Sequence, residues 1–253
     1  MRTSRRGFLP LAAAVLSVSA APTNDVLVLS SNGTRAVLEE LAPEFEKMSG
    51  ARLVFRFAPT AELKTRIENG EPFDVAFLTE TAVEELCRLG KADGETRAGI
   101  ARAGAGVAIR KGARKPDLQT QEAFRRALLD AESVAYVGRG VTADIMRSVF
   151  ARLGIEDAMR GKTKELDGVT AAEAVASGEA ELGFTQVSEI LPHPGVELAG
   201  PLPPELQVYT TFEAVVSSSS REPEAARRWI RFLTGPVAAP VIRAKGMEPR
   251  ETP

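Results

Sequence analysis

Short apolar runs alternate along this chain with longer segments whose apolar residues recur every three or four positions. Val26-Leu27-Val28-Leu29 is a run of strand formers, broken at Ser30-Ser31-Asn32-Gly33-Thr34. Val37, Leu38, Leu41, Ala42 and Phe45 then recur at helical spacing. After Gly50 a second strand pattern covers residues 52–57. Strand, turn, helix and strand form a βαβ unit, whose strands run parallel because a helical crossover joins them. The pattern continues with a helix over residues 61–69, ended by Gly70 and Pro72, and a strand over 74–78. Thr79-Glu80-Thr81 opens another helix, which runs to Leu89.

The middle of the chain repeats this logic. Residues 104–109 read as a strand, 120–130 as an amphipathic helix, and 133–137 as a strand ending in Gly138-Arg139-Gly140-Val141-Thr142. Ile145, Met146, Val149, Phe150 and Leu153 mark the next helix. Residues 167–177 predict a helix, 182–185 a strand, and the proline-rich stretch 191–204 a surface loop. Two short strands at 208–210 and 214–216 precede a helix over 223–233, with Trp229, Ile230 and Leu233 turned inward, and a last helix over 236–245. The expected fold is α/β, with mostly parallel sheets, helices on both faces, and two lobes. Residues 25–103 plus 208–253 make the first lobe and 104–207 the second.

The first twenty-one residues follow a different rule. Ser4-Arg5-Arg6-Gly7-Phe8-Leu9 precedes an apolar run over 11–18 and the small residues Ser19-Ala20-Ala21. This order is similar to a twin-arginine export signal, with cleavage after Ala20 or Ala21, and the run is too short to span a bilayer. The expected product is therefore periplasmic and soluble. Without Arg2, Arg5 and Arg6 the formal charge moves from −2 to −5. That balance argues against nucleic acid, which demands dense cationic surface. Cys87 is the one cysteine, so no internal disulfide forms, and its helical surroundings read as core.

Little points to metal or nucleophilic chemistry. The single histidine, His193, lies between two prolines, and no Gly-x-Ser-x-Gly elbow occurs. No His/Cys cluster has zinc spacing, and Gly138-Arg139-Gly140 lacks the continuation of a phosphate-binding loop. No cofactor and no metal are expected. Hydroxyl and glycine residues gather instead at four strand-to-helix turns: residues 30–34, Thr60, Thr79 and residues 138–142. Such turns share the carboxyl edge of an open parallel sheet, where ligands bind. First-turn amides and the helix dipole favour an anion there, and a hydroxyl adds a donor without charge. The alternative is that each hydroxyl only caps its own helix, an effect of about 1 kcal/mol.

Four stretches carry a family resemblance: residues 28–42; Phe57-Ala58-Pro59-Thr60-Ala61-Glu62-Leu63 with residues 67–75; Ala176-Ser177-Gly178-Glu179-Ala180-Glu181-Leu182-Gly183-Phe184; and Phe232-Leu233-Thr234-Gly235-Pro236 with residues 245–249. Together they are similar to the periplasmic molybdate-binding proteins, within the type 2 solute-binding proteins of ABC importers. The resemblance implies a first ligand position at Gly33, flanked by Ser31, Asn32 and Thr34, and a second at Thr60, with Thr79 on the same edge. It implies backbone donors at Gly140, Val141 and Thr142 and at Val169, and it puts Gln186 where the family often has tyrosine. The Gln186 amide both donates and accepts, and Arg139 could hold a carboxylate bidentately. Both suit a small organic acid better than a bare tetrahedral oxyanion. The implied partners are a small anion and a membrane ABC permease, with a monomer closing its lobes on the anion. The alternative is an exported enzyme of the aconitate isomerase type on the same fold, with Glu62, Glu80 or Glu213 as general base.

Overall fold

The computed structural model describes residues 25–250. The export-signal pattern lies outside them. Strand β1 (Asp25–Ser31) is followed by a 3-10 turn (Asn32–Thr34), helix α1 (Arg35–Ser49), β2 (Arg52–Ala58), α2 (Thr60–Glu68), β3 (Val75–Thr79) and α3 (Glu80–Arg88). β1 pairs in parallel with β2 on one side and β3 on the other, as two successive crossovers require.

Next come β4 (Ala92–Arg110), α4 (Gln121–Asp130), β5 (Val134–Val137), α5 (Val141–Leu153), α6 (Glu156–Met159), β6 (Thr163–Leu166), α7 (Ala171–Ser177), β7 (Leu182–Gln186) and α8 (Val187–Ile190). The chain closes with β8 (Val196–Pro201), β9 (Tyr209–Ser217), α9 (Pro223–Leu233), α10 (Ala238–Ala244) and β10 (Met247–Pro249). The strand order is β2-β1-β3-β9-β4-β7-β5-β6, with β8 and β10 also paired to β4.

β4 joins the two regions of this sheet. Its first part pairs antiparallel with β9, from Ala92↔Ser217 to Gly104↔Tyr209. Its second part pairs with β7, from Ala105↔Gln186 to Ala108↔Gly183. The returning chain crosses beside the same point: Ala105 N donates to Val208 O at 3.2 Å and to Gln207 Oε1 at 3.0 Å, and Gln207 Nε2 donates to Ala105 O at 3.1 Å. Two adjacent chain crossings thus connect the halves.

Each half is a sheet between helices. One face of the first half packs Val28, Phe77, Phe212 and Ala214 against α1, α9 and α10, with Trp229 fully buried. The other packs Leu29, Leu78 and Val215 against α2 and α3. In the second half, Val107, Tyr136 and Phe184 pack under α4 and α5, and Ala108 and Ala135 under α7 and α8. Cys87 lies half-buried beside the α2–α3 core, where burial pushes its thiol up. Asp74 ties the first half together. Its carboxylate accepts from Leu27 N (2.9 Å), Ser220 Oγ (2.7 Å), Arg221 N (3.0 Å) and Glu222 N (3.3 Å), so one side chain binds β1 to the start of α9.

Four readings of the sequence are corrected. The strand at 104–109 is the end of a 19-residue strand. The loop at 191–204 contains β8. The two strands at 208–210 and 214–216 are one strand, β9. Lastly, the sheet is mixed and not mostly parallel, because β4 and β9 pair antiparallel with all their neighbours and parallel pairing is confined to β1 with β2 and β3 and to β5 with β6 and β7.

Candidate functional site

The carboxyl ends of the two halves meet at Gly33 and Gln186. Gly33 follows β1; Gln186 ends β7, opposite Ala105 at the junction in β4. A Cβ at residue 33 would collide with Gln186 Oε1 and lie 3.3 Å from Phe212 Cζ. Glycine at 33 leaves room for the Gln186 amide to approach this closely; a larger residue would push that side chain aside.

Ser31 and Thr60 line the same edge. β1 and β2 are in register with Ser31 beside Ala58, so the turn after β2 brings Thr60 close. The Ser31 and Thr60 hydroxyls hydrogen-bond to each other. Pro59 occupies the capping position of α2, and no side chain caps that helix. Thr60 is therefore the first helical residue and not a cap, which removes the bland explanation of its hydroxyl. Asn32 is partly exposed in the 3-10 turn. Thr79 precedes α3, likewise uncapped, and is half-buried 3.5 Å from Thr81 Oγ1, too long for a strong bond.

The second half contributes the start of α5. Gly140 precedes it at φ +85°, in the left-handed region that favours glycine, and supplies no cap. The first amides of α5, at Val141 and Thr142, have no intrahelical partner, and Val141 is exposed. Helix starts without side-chain caps thus lie at the carboxyl edge of each half, α2 after β2 and α5 after β5, which runs parallel to β7.

Three expected contributors are placed differently. Thr34 is fully buried; its hydroxyl donates to Ser31 O at 2.8 Å and lies 2.6 Å from Ser30 Oγ, so it braces the turn. Val169 precedes a helix that carries its own anion. Thr170 caps α7, accepting from Glu173 N at 3.2 Å, while Glu173 accepts from Thr170 N at 2.8 Å. Those bonds from Thr170 hold the Glu173 carboxyl below its usual range. Arg139 is exposed and ion-paired with Asp167, clamping the loop before α5 to the loop before α7.

Residues 26–248 match the family described as bacterial extracellular solute-binding protein. The chain belongs to that family. An aconitate isomerase from Pseudomonas sp is 32% identical over 96% of this chain and 94% of the relative. The molybdate-binding protein ModA of Azotobacter vinelandii is 27% identical over 93% of this chain and 94% of its own. Among solved structures, the Azotobacter vinelandii periplasmic molybdate-binding protein superposes with a TM-score of 0.74 at 23% identity, covering 88% of this chain and 98% of that one. The α/β fold with helices on both sheet faces is that of these binding proteins.

The three candidate bases of this solute-binding protein lie apart from the meeting point or in ion pairs. Glu62 pairs with Arg66 at 3.1 Å. Glu80 lies 3.9 Å from Arg97 and 3.7 Å from Arg250. Glu213 is buried against Arg97, and, being next to Phe212 on β9, points to the opposite sheet face. His193 serves its own loop, accepting from Gly195 N at 3.2 Å.

Sequence reasoning missed Glu189. It lies in the first turn of α8, three residues after Gln186, and accepts from the Thr185 hydroxyl. Burial pushes its carboxyl above the usual range, against the lowering effect of the bonds from Thr185 and from the Gln186 backbone. The spacing is that of a capping box with glutamine in the serine position, a signal too weak to single out. A cavity of about 500 Å³ lies elsewhere, at the other end of β9, lined by Asp93, Ser217, Ser220 and Arg227 among others. Its polar groups are engaged: Arg227 lies 3.3 Å from Asp93 and Ser220 bonds to Asp74. Among the described residues no helix is long and apolar enough to cross a membrane, and no three His, Cys, Asp or Glu side chains group as a metal site.

Proposed function

We propose that this protein captures a small anion where the carboxyl ends of its two halves meet, and hands it to a membrane ABC importer after export by its N-terminal signal. One observation carries the reading. The starts of α2 and α5, without side-chain caps, follow parallel strands at the carboxyl edges of the two halves, the edges that Gly33 and Gln186 join, and the Ser31 and Thr60 hydroxyls bond to each other on the first of them. Amides and hydroxyls of this kind hold an anion without a dedicated cation. Residues 25–103 with 208–253 act as one lobe and 104–207 as the other. The crossings at Ala105 and Val208 form the hinge about which they close. Family membership and the molybdate-binding relatives support the binding role.

The test is a thermal-shift panel on residues 22–253 with molybdate, tungstate, sulfate, phosphate, citrate and the aconitate isomers, since a ligand of the native state raises the melting point. At least one anion is expected to do so. No rise in melting point with any of these anions would overturn the reading.

A second reading is isomerisation of a tricarboxylate, favoured by the 32% identity to an aconitate isomerase across nearly the whole chain. It requires a proton-transfer group at the ligand, and the pairing of Glu62, Glu80 and Glu213 with arginines weighs against those three. Interconversion of cis- and trans-aconitate by the purified protein would establish it.

A further inference from the structure

We propose that Gln186 is the specificity-determining residue of this site and that, seated on Gly33, it selects a carboxylate ligand over a bare tetrahedral oxyanion. The proposal rests on the anion-binding reading above and names the ligand class. Gln186 belongs to the second half of the molecule, yet its side chain crosses to the first. A Cβ at residue 33 would collide with Gln186 Oε1, and it would lie 3.2 Å from Gln186 Cδ. The amide thus fills the volume that any larger residue at 33 would occupy. Its Oε1 is buried and has no hydrogen-bond partner. Most buried side-chain polar atoms have one, so an acceptor left without a partner at the junction of the two halves calls for an explanation.

The chemistry of the ligand follows from that stranded acceptor. Molybdate or sulfate presents acceptor oxygens on every side, and a carbonyl oxygen beside it adds repulsion. A carboxamide is planar, with a donor and an acceptor at one end. When the halves part to admit a ligand, the amide lifts from Gly33: a carboxylate oxygen takes its N–H, while a hydroxyl or protonated carboxyl of the same ligand donates to the freed Oε1. The hydroxyls of Ser31 and Thr60 also act in both senses and fit the same mixed ligand. A polycarboxylic or hydroxycarboxylic acid meets these demands; a tetrahedral oxyanion meets only the donor half.

The experiment is calorimetric titration of residues 22–253 with citrate, trans-aconitate, molybdate and sulfate, on the unaltered protein, Gln186→Leu, Gln186→Ala, Gly33→Ala and Gly33→Ala/Gln186→Ala. Each variant is first checked for a cooperative melt. The unaltered protein is expected to bind citrate or trans-aconitate ~10-fold or more tighter than either tetrahedral anion, and Gln186→Leu to erase that margin, because a site built for a polar partner rejects its absence strongly. Gly33→Ala is expected to weaken carboxylate binding, and the double variant to bind no worse than Gln186→Ala alone, since both singles act through one contact.

Two results overturn the proposal. One is molybdate or sulfate binding the unaltered protein as tightly as any carboxylate, which leaves the anion reading standing. The other is Gln186→Leu keeping full carboxylate affinity and margin. If none of the four anions binds, the anion reading itself falls and takes this one with it.

Discussion

Thr60→Val separates a ligand hydroxyl from a structural one. The substitution keeps size and β-branching and removes only the hydroxyl. Because Pro59 holds the capping position of α2 and Thr60 does not cap it, the helix loses no cap. What the fold loses is the bond to Ser31. A neutral hydrogen bond contributes about 1 kcal/mol net, which in a chain of this size corresponds to a fall in Tm of about 2–4 °C. The effect on binding is larger. A hydroxyl donating to a charged ligand contributes about 1.5–3 kcal/mol, so Kd should rise ~10- to 150-fold. The assay pairs calorimetric titration, using whichever panel anion stabilises the unaltered protein, with scanning calorimetry of the free protein. Retained affinity together with a lowered Tm would refute the reasoning, because Thr60 would then be a structural bridge and nothing more.

Other consequences follow from the packing and charges. Asp74→Ala strands four donors that its carboxylate now satisfies; the expected cost is about 3–5 kcal/mol, read as a fall in urea midpoint with unchanged m-value. Glu189→Gln should raise Tm at neutral pH. With its folded-state pKa raised by burial, the native state binds more protons than the unfolded chain, so the wild-type protein loses stability as pH rises from the ordinary glutamate range through the raised value. The advantage of the glutamine variant should shrink as pH falls to the ordinary range, which a pH series of melts checks. Arg139→Gln breaks a pair whose side chains are 76% and 77% exposed, so its Tm should stay within about 2 °C of the unaltered protein.

Much of the scaffold is legible in the sequence because local physics decides it. The runs at β1 and β3 and the helical spacing of α1 need no distant partner to be recognised. The left-handed Gly50, Gly154 and Gly178 mark where helices stop. What fails does so for reasons of tertiary pairing. The first part of β4 shows no apolar alternation because its register against β9 shifts twice, at residues 93–98 and 99–101. β8 hides in a proline-rich stretch because it pairs with one strand at the sheet's margin.

The site is harder still. The hydroxyl-bearing turns can be placed on one edge from the βαβ pattern. The seating of Gln186 on Gly33 joins residues far apart in sequence, and so does the ion pair of Arg139 with Asp167. The buried state of Thr34 depends on the local turn and reverses the role its residue type invites. Glu189 is visible only once α8 is placed against β7.

The central claim is that the ligand sits where the two carboxyl edges meet. Amide hydrogen exchange of residues 22–253, with and without a saturating panel anion, tests it most directly, because bound ligand slows local opening. The account predicts added protection at residues 31–35, 60–63, 140–143 and 186–190. Protection confined to the residues around the cavity of about 500 Å³ at Asp93, Ser217 and Arg227 would contradict it.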